Sequence, residues 1–178
     1  MTFPNRSQQA GHELAMRLRG AYSYFRRRGG ATLAPLGISS DQFVLLTVLA
    51  QHGSATQQEL VRRCYSDTTT LGTMVTLLES KGLISRAEDV RDGRSWRVGL
   101  TEAGEALQKE LWHRSGSVRV ELAALLAPDE ATALIGLLDR IIEAMRPQRR
   151  RASKPALLVR GGSRKRLVKN RKSKRTYE

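Results

Sequence analysis

Residues 56–104 read TQQELVRRCYSDTTTLGTMVTLLESKGLISRAEDVRDGRSWRVGLTEAG, and few folds accommodate that succession of signals. Thr56-Gln57-Gln58-Glu59 is a complete capping box, with a hydroxyl for the N–H three residues on and a glutamate to reach back. It opens a helix with Leu60, Val61 and Cys64 on one face and Gln58 and Arg62 on the other. Ser66 is placed to cap the next helix, over about 67–81. There Leu71, Met74, Val75 and Leu78 make an inward stripe, and Thr69, Thr73, Thr76 and Ser80 lie about opposite. Gly82 closes it. Strands are predicted over 84–88 and 96–100, with Ile84, Trp96, Val98 and Leu100 facing inward and Asp92-Gly93 as the hairpin turn. Thr101 then caps a long helix with Glu102 in its first turn. Helix, turn, helix and basic β-wing, in that order, make a unit shaped to read double-stranded DNA.

The flanks are helical. Leu14, Leu18, Tyr22 and Phe25 share one face of a helix from about Gln8 to Arg28, which Gly29-Gly30 is expected to stop. Residues 29–38 read as a loop. Ser39, with Gln42 at the reciprocal position, opens a helix whose body from Phe43 to Ala50 is apolar nearly all round, and Gly53 ends it. On the C-terminal side Leu107, Leu111, Val118, Leu122 and Leu125 repeat like a heptad seam. Ala127-Pro128-Asp129-Glu130 restarts a last helix, which carries Leu134, Ile135, Leu138, Ile141, Ile142 and Met145 and ends at Pro147.

The net charge of +14 has an address. Residues 146–178 hold 14 Lys/Arg and one acid, whereas residues 1–145 hold 17 bases and 16 acids. The body is therefore close to neutral and the end of the chain is a polycation, read from composition as a disordered tail. Within the body the most basic patch is the hairpin, with Arg86, Arg91, Arg94 and Arg97. A single cysteine excludes an intrachain disulfide, and the polar N-terminus and short apolar runs predict neither a secretory signal nor a membrane span.

The chemistry of the residues points the same way. Thr68, Thr69, Thr70 and Thr73 at the exposed start of the second helix offer short donors and acceptors, and methyl groups for thymine methyls. Arg94, beside the turn, suits an adjacent minor groove, and Asp92 or Asp89 can orient an arginine by an ion pair. Arg91 and Arg97 suit phosphate, as do Arg62 and the N-terminus of its helix. Cys64, on an apolar face, reads as a small buried hydrophobe in preference to a thiol sensor. His12, His52 and His113 are far apart and no metal-ligand spacing appears, so neither a metal nor another cofactor is expected. No nucleophile, base and carboxylate set and no glycine-rich phosphate loop has supporting context, so a non-enzyme is expected.

Four segments also carry a resemblance: Thr56-Gln57-x-Glu59-Leu60, Leu78-Glu79-x-Lys81-Gly82-Leu83-Ile84, Asp89-x-x-Asp92-Gly93-Arg94 and Leu100-Thr101-Glu102-x-Gly104. In this order and spacing the chain resembles the MarR family of bacterial winged-helix regulators over about residues 8–147. The resemblance implies a homodimer with one winged helix-turn-helix per subunit, joined through N- and C-terminal helices. It implies repression of transcription and, in many members, release of DNA when a small aromatic or phenolic effector binds between the lobes; some members use a reactive cysteine instead. It places Arg94 as the wing arginine. Many members carry a basic residue where this chain has Thr73. Tyr22, Tyr24, Phe25, Trp112 and His113 are the candidates to line the ligand crevice, with Tyr22, Phe25, Trp112 and His113 as the set adopted.

The expected fold is mainly α with a small β-wing. Residues 1–38 form the N-terminal dimerisation helix and loop, 39–101 the winged helix-turn-helix, 102–147 the C-terminal dimerisation helices, and 148–178 the basic tail. The expected function is an effector-responsive repressor on a pseudo-palindromic operator, in the cytoplasm at the nucleoid, with DNA and a second copy of itself as partners and no membrane. The alternatives are an architectural DNA binder working through its tail, and a winged-helix module that binds protein.

Overall fold

The computed structural model describes residues 5–89 and 92–146, with residues 92–94 described by backbone alone. Val90, Arg91, Pro147 and the basic tail lie outside the described residues. The chain divides into two compact units, Met1–Ala133 and Leu134–Glu178.

The first unit begins with α1 (Arg6–Leu33), followed by a single 3-10 turn (Ala34–Leu36) and α2 (Ser40–His52). Strand β1 (Ala55–Thr56) leads into α3 (Gln57–Arg63) and α4 (Thr68–Ser80). Strands β2 (Ile84–Asp89) and β3 (Asp92–Leu100) form the hairpin, and α5 (Glu102–Arg114) and α6 (Gly116–Ala124) follow. The three strands form an antiparallel sheet in the order β1-β3-β2, with Ala55 opposite Val98 and Ile84 opposite Leu100. One core holds this unit together: Leu45, Leu46 and Leu49 of α2, Leu60 of α3, Leu71, Val75 and Leu78 of α4, and Leu111 of α5 are all buried. The inward stripe of α4 thus packs as its spacing predicts.

Both predicted capping boxes are present. Ser39 accepts the Gln42 N–H at 3.2 Å while Gln42 accepts that of Ser39 at 2.9 Å. Thr56 accepts the Glu59 N–H at 3.3 Å while Glu59 accepts that of Thr56 at 2.8 Å. The cap of α4 differs from expectation: Asp67, not Ser66, accepts the Thr70 N–H, at 2.8 Å. The chain turns one residue later because Tyr65 takes a positive φ of 51°, ending α3 in the left-handed conformation with the Ser66 N–H returned to the Val61 carbonyl.

Gly29-Gly30 does not stop α1, which continues to Leu33. Glycine in a helix costs about 1 kcal/mol relative to alanine, but Leu33 is fully buried beyond the pair, and Gly30 is where α2 approaches. A Cβ there would stand 3.1 Å from Ser40 Oγ, which donates to the Arg26 carbonyl. The long helix after Thr101 is two helices, broken at Ser115, whose hydroxyl donates to the Leu111 carbonyl at 2.7 Å. Arg119 fixes the break: its guanidinium donates to Ser115 Oγ at 2.7 Å and to the Trp112 carbonyl at 2.6 Å, and lies 3.7 Å above the Trp112 ring. The heptad seam splits accordingly, with Leu111 and Val118 buried and Leu122 and Leu125 exposed.

The hairpin corrects two expectations. Asp92 already belongs to β3, opposite Asp89, so Asp92-Gly93 is not the central pair of the turn. Between the Glu88–Trp96 and Asp89–Asp92 pairs the register shifts, leaving residues 93–95 of β3 as a bulge. Gly93 therefore marks an irregularity within the strand, the other common use of glycine in a sheet. Trp96 does not face inward to the core; it shares the Val98 side but lies farther along the hairpin, where it is 56% exposed.

The last helix, α7 (Pro128–Met145), starts at a proline with Asp129 and Glu130 in its first turn, and the Ala127 N–H donates to Glu130 Oε2 at 2.9 Å. None of its residues is buried, and Leu134, Ile135, Leu137 and Met145 are exposed.

Candidate nucleic-acid interface

Helix α4 is held by its buried stripe and by α3 beneath it, which leaves Thr68, Thr69, Thr70, Thr73, Thr76, Leu77 and Ser80 exposed. Six of these residues, with Gly72 in place of Thr70, line a shallow open concavity along the helix. Their hydroxyls are not equivalent. Thr70 Oγ1 donates to Asp67 Oδ2 at 2.7 Å, completing the cap, and those two bonds hold the Asp67 carboxyl below the ordinary aspartate range. Thr73 Oγ1 donates back to the Thr69 carbonyl at 3.1 Å. Thr76 Oγ1 accepts Arg86 Nη2 at 3.3 Å. Thr68 and Thr69, at the N-terminal end, make no side-chain hydrogen bond among the described residues and remain open to a partner. Leu77 is a member of the outer face that the apolar-stripe reading passed over; it stands one turn after Thr73, and that i+4 spacing was the available signal.

The wing is braced against this helix and against α3. Arg86 Nε lies 3.2 Å from Glu79 Oε2 at the end of α4. Arg97, expected to meet phosphate, has its guanidinium engaged within the protein. Its Nη1 donates to Asp89 Oδ2 at 3.3 Å, its Nε to Ser54 Oγ at 3.1 Å and its Nη2 to the Ser54 carbonyl, and Nη1 stands 4.0 Å from Glu59 Oε2. The guanidinium thus ties β3 to the turn before α3. Sequence reasoning missed Ser54 and Glu59 as its partners, because they lie about 40 residues away in the chain and meet it only through the β1–β3 pairing. Glu59 is held below the usual glutamate range first by the Thr56 N–H and hydroxyl, with Arg97 adding to the effect. Of the two acids expected to orient an arginine, Asp89 pairs with Arg97. Arg91 lies outside the described residues, as do the side chains of Arg94 and Asp92. Arg62 is exposed on the outer side of α3 with no side-chain partner among the described residues.

A second feature lies away from α4 and the wing. A cavity of about 120 Å³ opens between α1, α2 and the α5–α6 break, with Tyr22, Phe25, Phe43, Val118 and Arg119 in its wall. Its size approaches the roughly 150 Å³ of an apolar cavity that holds a single benzene. Tyr22 donates to Asp41 Oδ1 at 3.3 Å and Arg26 to Asp41 Oδ2 at 3.4 Å, so these polar groups satisfy one another and the wall of the cavity is apolar. Burial, and then the Asp41 carboxylate, raise the Tyr22 phenol above its ordinary value. Two of the four expected lining residues are present. Trp112 instead backs the wall, packed on Phe43 at 6.4 Å between centroids and covered by Arg119. His113 is exposed on α5 and takes no part in the wall.

Cys64 packs against the core, and burial pushes its thiol up to about 11. Among the described residues no three His, Cys, Asp or Glu side chains gather as a metal site, and no single helix is long and apolar enough to cross a membrane.

Comparison with known proteins gives this arrangement a context. The model of the MarR family matches residues 38–96. An HTH-type transcriptional repressor of Mycobacterium tuberculosis is 36% identical over 102 residues, which is 56% of this chain and 73% of the repressor. The structure of the C80S mutant of E. coli MarR complexed with operator DNA superimposes with a TM-score of 0.66 at 27% identity, covering 73% of this chain and 94% of that one. A structure describing how 6-hydroxynicotinic acid regulates DNA binding by BpsR of Bordetella bronchiseptica gives 0.65 at 25% identity, over 72% and 98% of the two chains.

Proposed function

Because the chain belongs to the MarR family of DNA-binding transcriptional regulators, which act by binding and not by catalysis, we propose that it is a homodimeric repressor of a pseudo-palindromic operator. The observation that carries this reading is the exposed threonine face of α4 with the braced wing beside it. In this reading α4 enters the major groove, Arg94 the neighbouring minor groove, and Arg62 and Arg91 the phosphates. Residues 39–101 form the reading lobe. Residues 1–38 and 102–147 supply the dimer contacts; the exposed Leu14 and Met16 of α1 and the exposed apolar residues of α7 support that assignment. Two copies related by two-fold symmetry read half-sites about one helical turn apart, at the nucleoid.

The cavity beside Tyr22 and Phe25 supports release by a small aromatic effector, a single ring held mainly by the apolar wall. BpsR, whose DNA binding 6-hydroxynicotinic acid regulates, is a structural relative of that behaviour. Such a ligand shifts the population toward subunits whose reading heads no longer match the operator spacing.

Fluorescence anisotropy tests the reading. The duplex enriched from a random pool of about 26 bp is compared with its scrambled version at roughly 0.15 M salt. Selective binding, with a dimer mass in sedimentation, is the expected result; equal affinities defeat sequence-specific regulation. A thermal-shift screen of small aromatic acids, followed by addition of hits to the complex, tests the effector.

One further observation favours an accessory role for the chain's end. With 14 bases against one acid, residues 146–178 suit non-specific phosphate contact by counterion release. Deleting 148–178 is expected to lower affinity and salt slope while preserving the preferred sequence. Loss of all binding favours the architectural alternative.

A further inference from the structure

Resting on the reading of α4 as the recognition helix, we propose that its outer face selects thymine in the major groove by the C5 methyl group, through carbon contact in place of hydrogen bonds. The hydroxyls that make this face look polar in the sequence are largely engaged inside the protein. Thr73 donates back to the Thr69 carbonyl at 3.1 Å, and Ser80 to the Leu77 carbonyl at 2.8 Å. Thr76 Oγ1 already accepts from Arg86. A threonine whose hydroxyl turns back on its own helix leaves its methyl as the outward group. Beside Thr73 and Thr76 stands Leu77, 44% exposed, and Gly72 contributes no side chain to fill the space between them. The resulting concavity presents carbon to whatever lies in it, and no Arg, Lys, Asn or Gln lines it.

That surface discriminates between bases. Guanine and adenine are held firmly by bidentate groups, which are absent here, and cytosine offers a donor that asks for an acceptor. Thymine alone adds an apolar group to the groove, and burying it against Thr73 and Leu77 removes hydrocarbon from water on both sides. Thr68 and Thr69, whose hydroxyls are open at the helix N-terminus, remain for phosphate or base edges nearby. The preferred half-site therefore carries thymines where the middle of α4 crosses the groove.

The test uses the full-length protein, first unaltered and then with two variants at Thr73. A duplex enriched from the random pool is remade with deoxyuridine for thymine in its half-sites, which keeps every hydrogen-bonding group and removes the methyl. Kd is expected to rise about four-fold for each contacted methyl, the value of burying one methyl-sized group, and to stay unchanged when the exchange is confined to the flanks. Thr73→Ser, which loses the methyl, weakens binding to the thymine duplex and not to the deoxyuridine duplex. Thr73→Val, which loses the hydroxyl, retains both affinity and preference. Equal affinity for the two duplexes overturns the inference and leaves the operator reading standing. A pool that yields no enriched sequence overturns the operator reading, and this inference with it.

Discussion

Arg97 and Asp89 face each other across the wing hairpin, with Arg97 Nη1 3.3 Å from Asp89 Oδ2 and the aspartate side chain 11% exposed. With Ser54 and Glu59 on its other side, Arg97 adds side-chain bonds to the short β1–β3 pairing, in which Thr56 lies opposite Arg97.

Arg97→Gln is therefore expected to loosen the wing. The stability cost is about 1 kcal/mol, less than a fully buried charged hydrogen bond because the site is partly exposed. In a protein of this size that is roughly 2–4 °C in Tm. Operator affinity falls, but the slope of log Kd against log salt stays put. If Arg97 were a phosphate contact, the slope would drop by about 0.9, and that result in a salt titration would sink the bracing role.

Glu59 adds a pH dependence. Its carboxyl lies below the ordinary 4.5 in the folded protein, so its contribution is complete above that value and is lost as the pH falls through the lower folded value. Asp67 has the same sign. Urea unfolding followed from about pH 6 to about pH 3 should show declining stability. Glu59→Gln should show a shallower decline, because the amide oxygen still accepts the Thr56 N–H but does not titrate. A decline as steep as the parent's would exclude Glu59 as a contributor.

Gly104 tolerates no side chain. A Cβ there would stand 1.9 Å from the Leu83 carbonyl oxygen, which accepts the Thr101 N–H at 3.1 Å. Gly104→Ala must move backbone at the root of the hairpin, and a cost of about 2–3 kcal/mol is expected. Denaturant melts check the size. A variant as stable as the parent would show that α5 can shift freely against the Leu83–Ile84 turn.

Cys64 should be inert. With its thiol near 11, about one molecule in ten thousand carries the thiolate at neutral pH. Labelling by iodoacetamide at neutral pH is expected to be far slower than that of a free cysteine, and peroxide should leave operator affinity unchanged. Rapid peroxide-driven release from DNA, abolished in Cys64→Ser, would contradict this.

The parts of the fold that local chemistry decides were readable from the chain. Ser39 with Gln42 and Thr56 with Glu59 bond within one helical turn, so four letters suffice, and the α4 stripe needs only its own spacing. What escaped depends on distant neighbours. Gly30 looks like a helix stop until Ser40 packs on it. Arg97 looks like a free wing cation until β1 pairing brings Ser54 and Glu59 to it. Ser115 breaks a helix that the leucine periodicity continues, and Arg119 then fixes the break. Of the candidate site, the threonines were identifiable, but the direction of their hydroxyls was not, because a back-bonded threonine and a free one have the same letter.

Helices α1 and α2 cross at 81°, pinned by the Ser40 hydroxyl on the Arg26 carbonyl. Mechanically this is a crank. A roll of α1 about its own axis leaves α1 in place but swings anything fixed nearly square to it. The 13 residues of α2 span about 20 Å at 1.5 Å per residue. A roll of about 10° at the pin then carries the far end of α2 through about 3 Å. That is close to the axial rise of one base pair, and it would reach α4 through the core that Leu45, Leu46 and Leu49 of α2 share with Leu71, Val75 and Leu78.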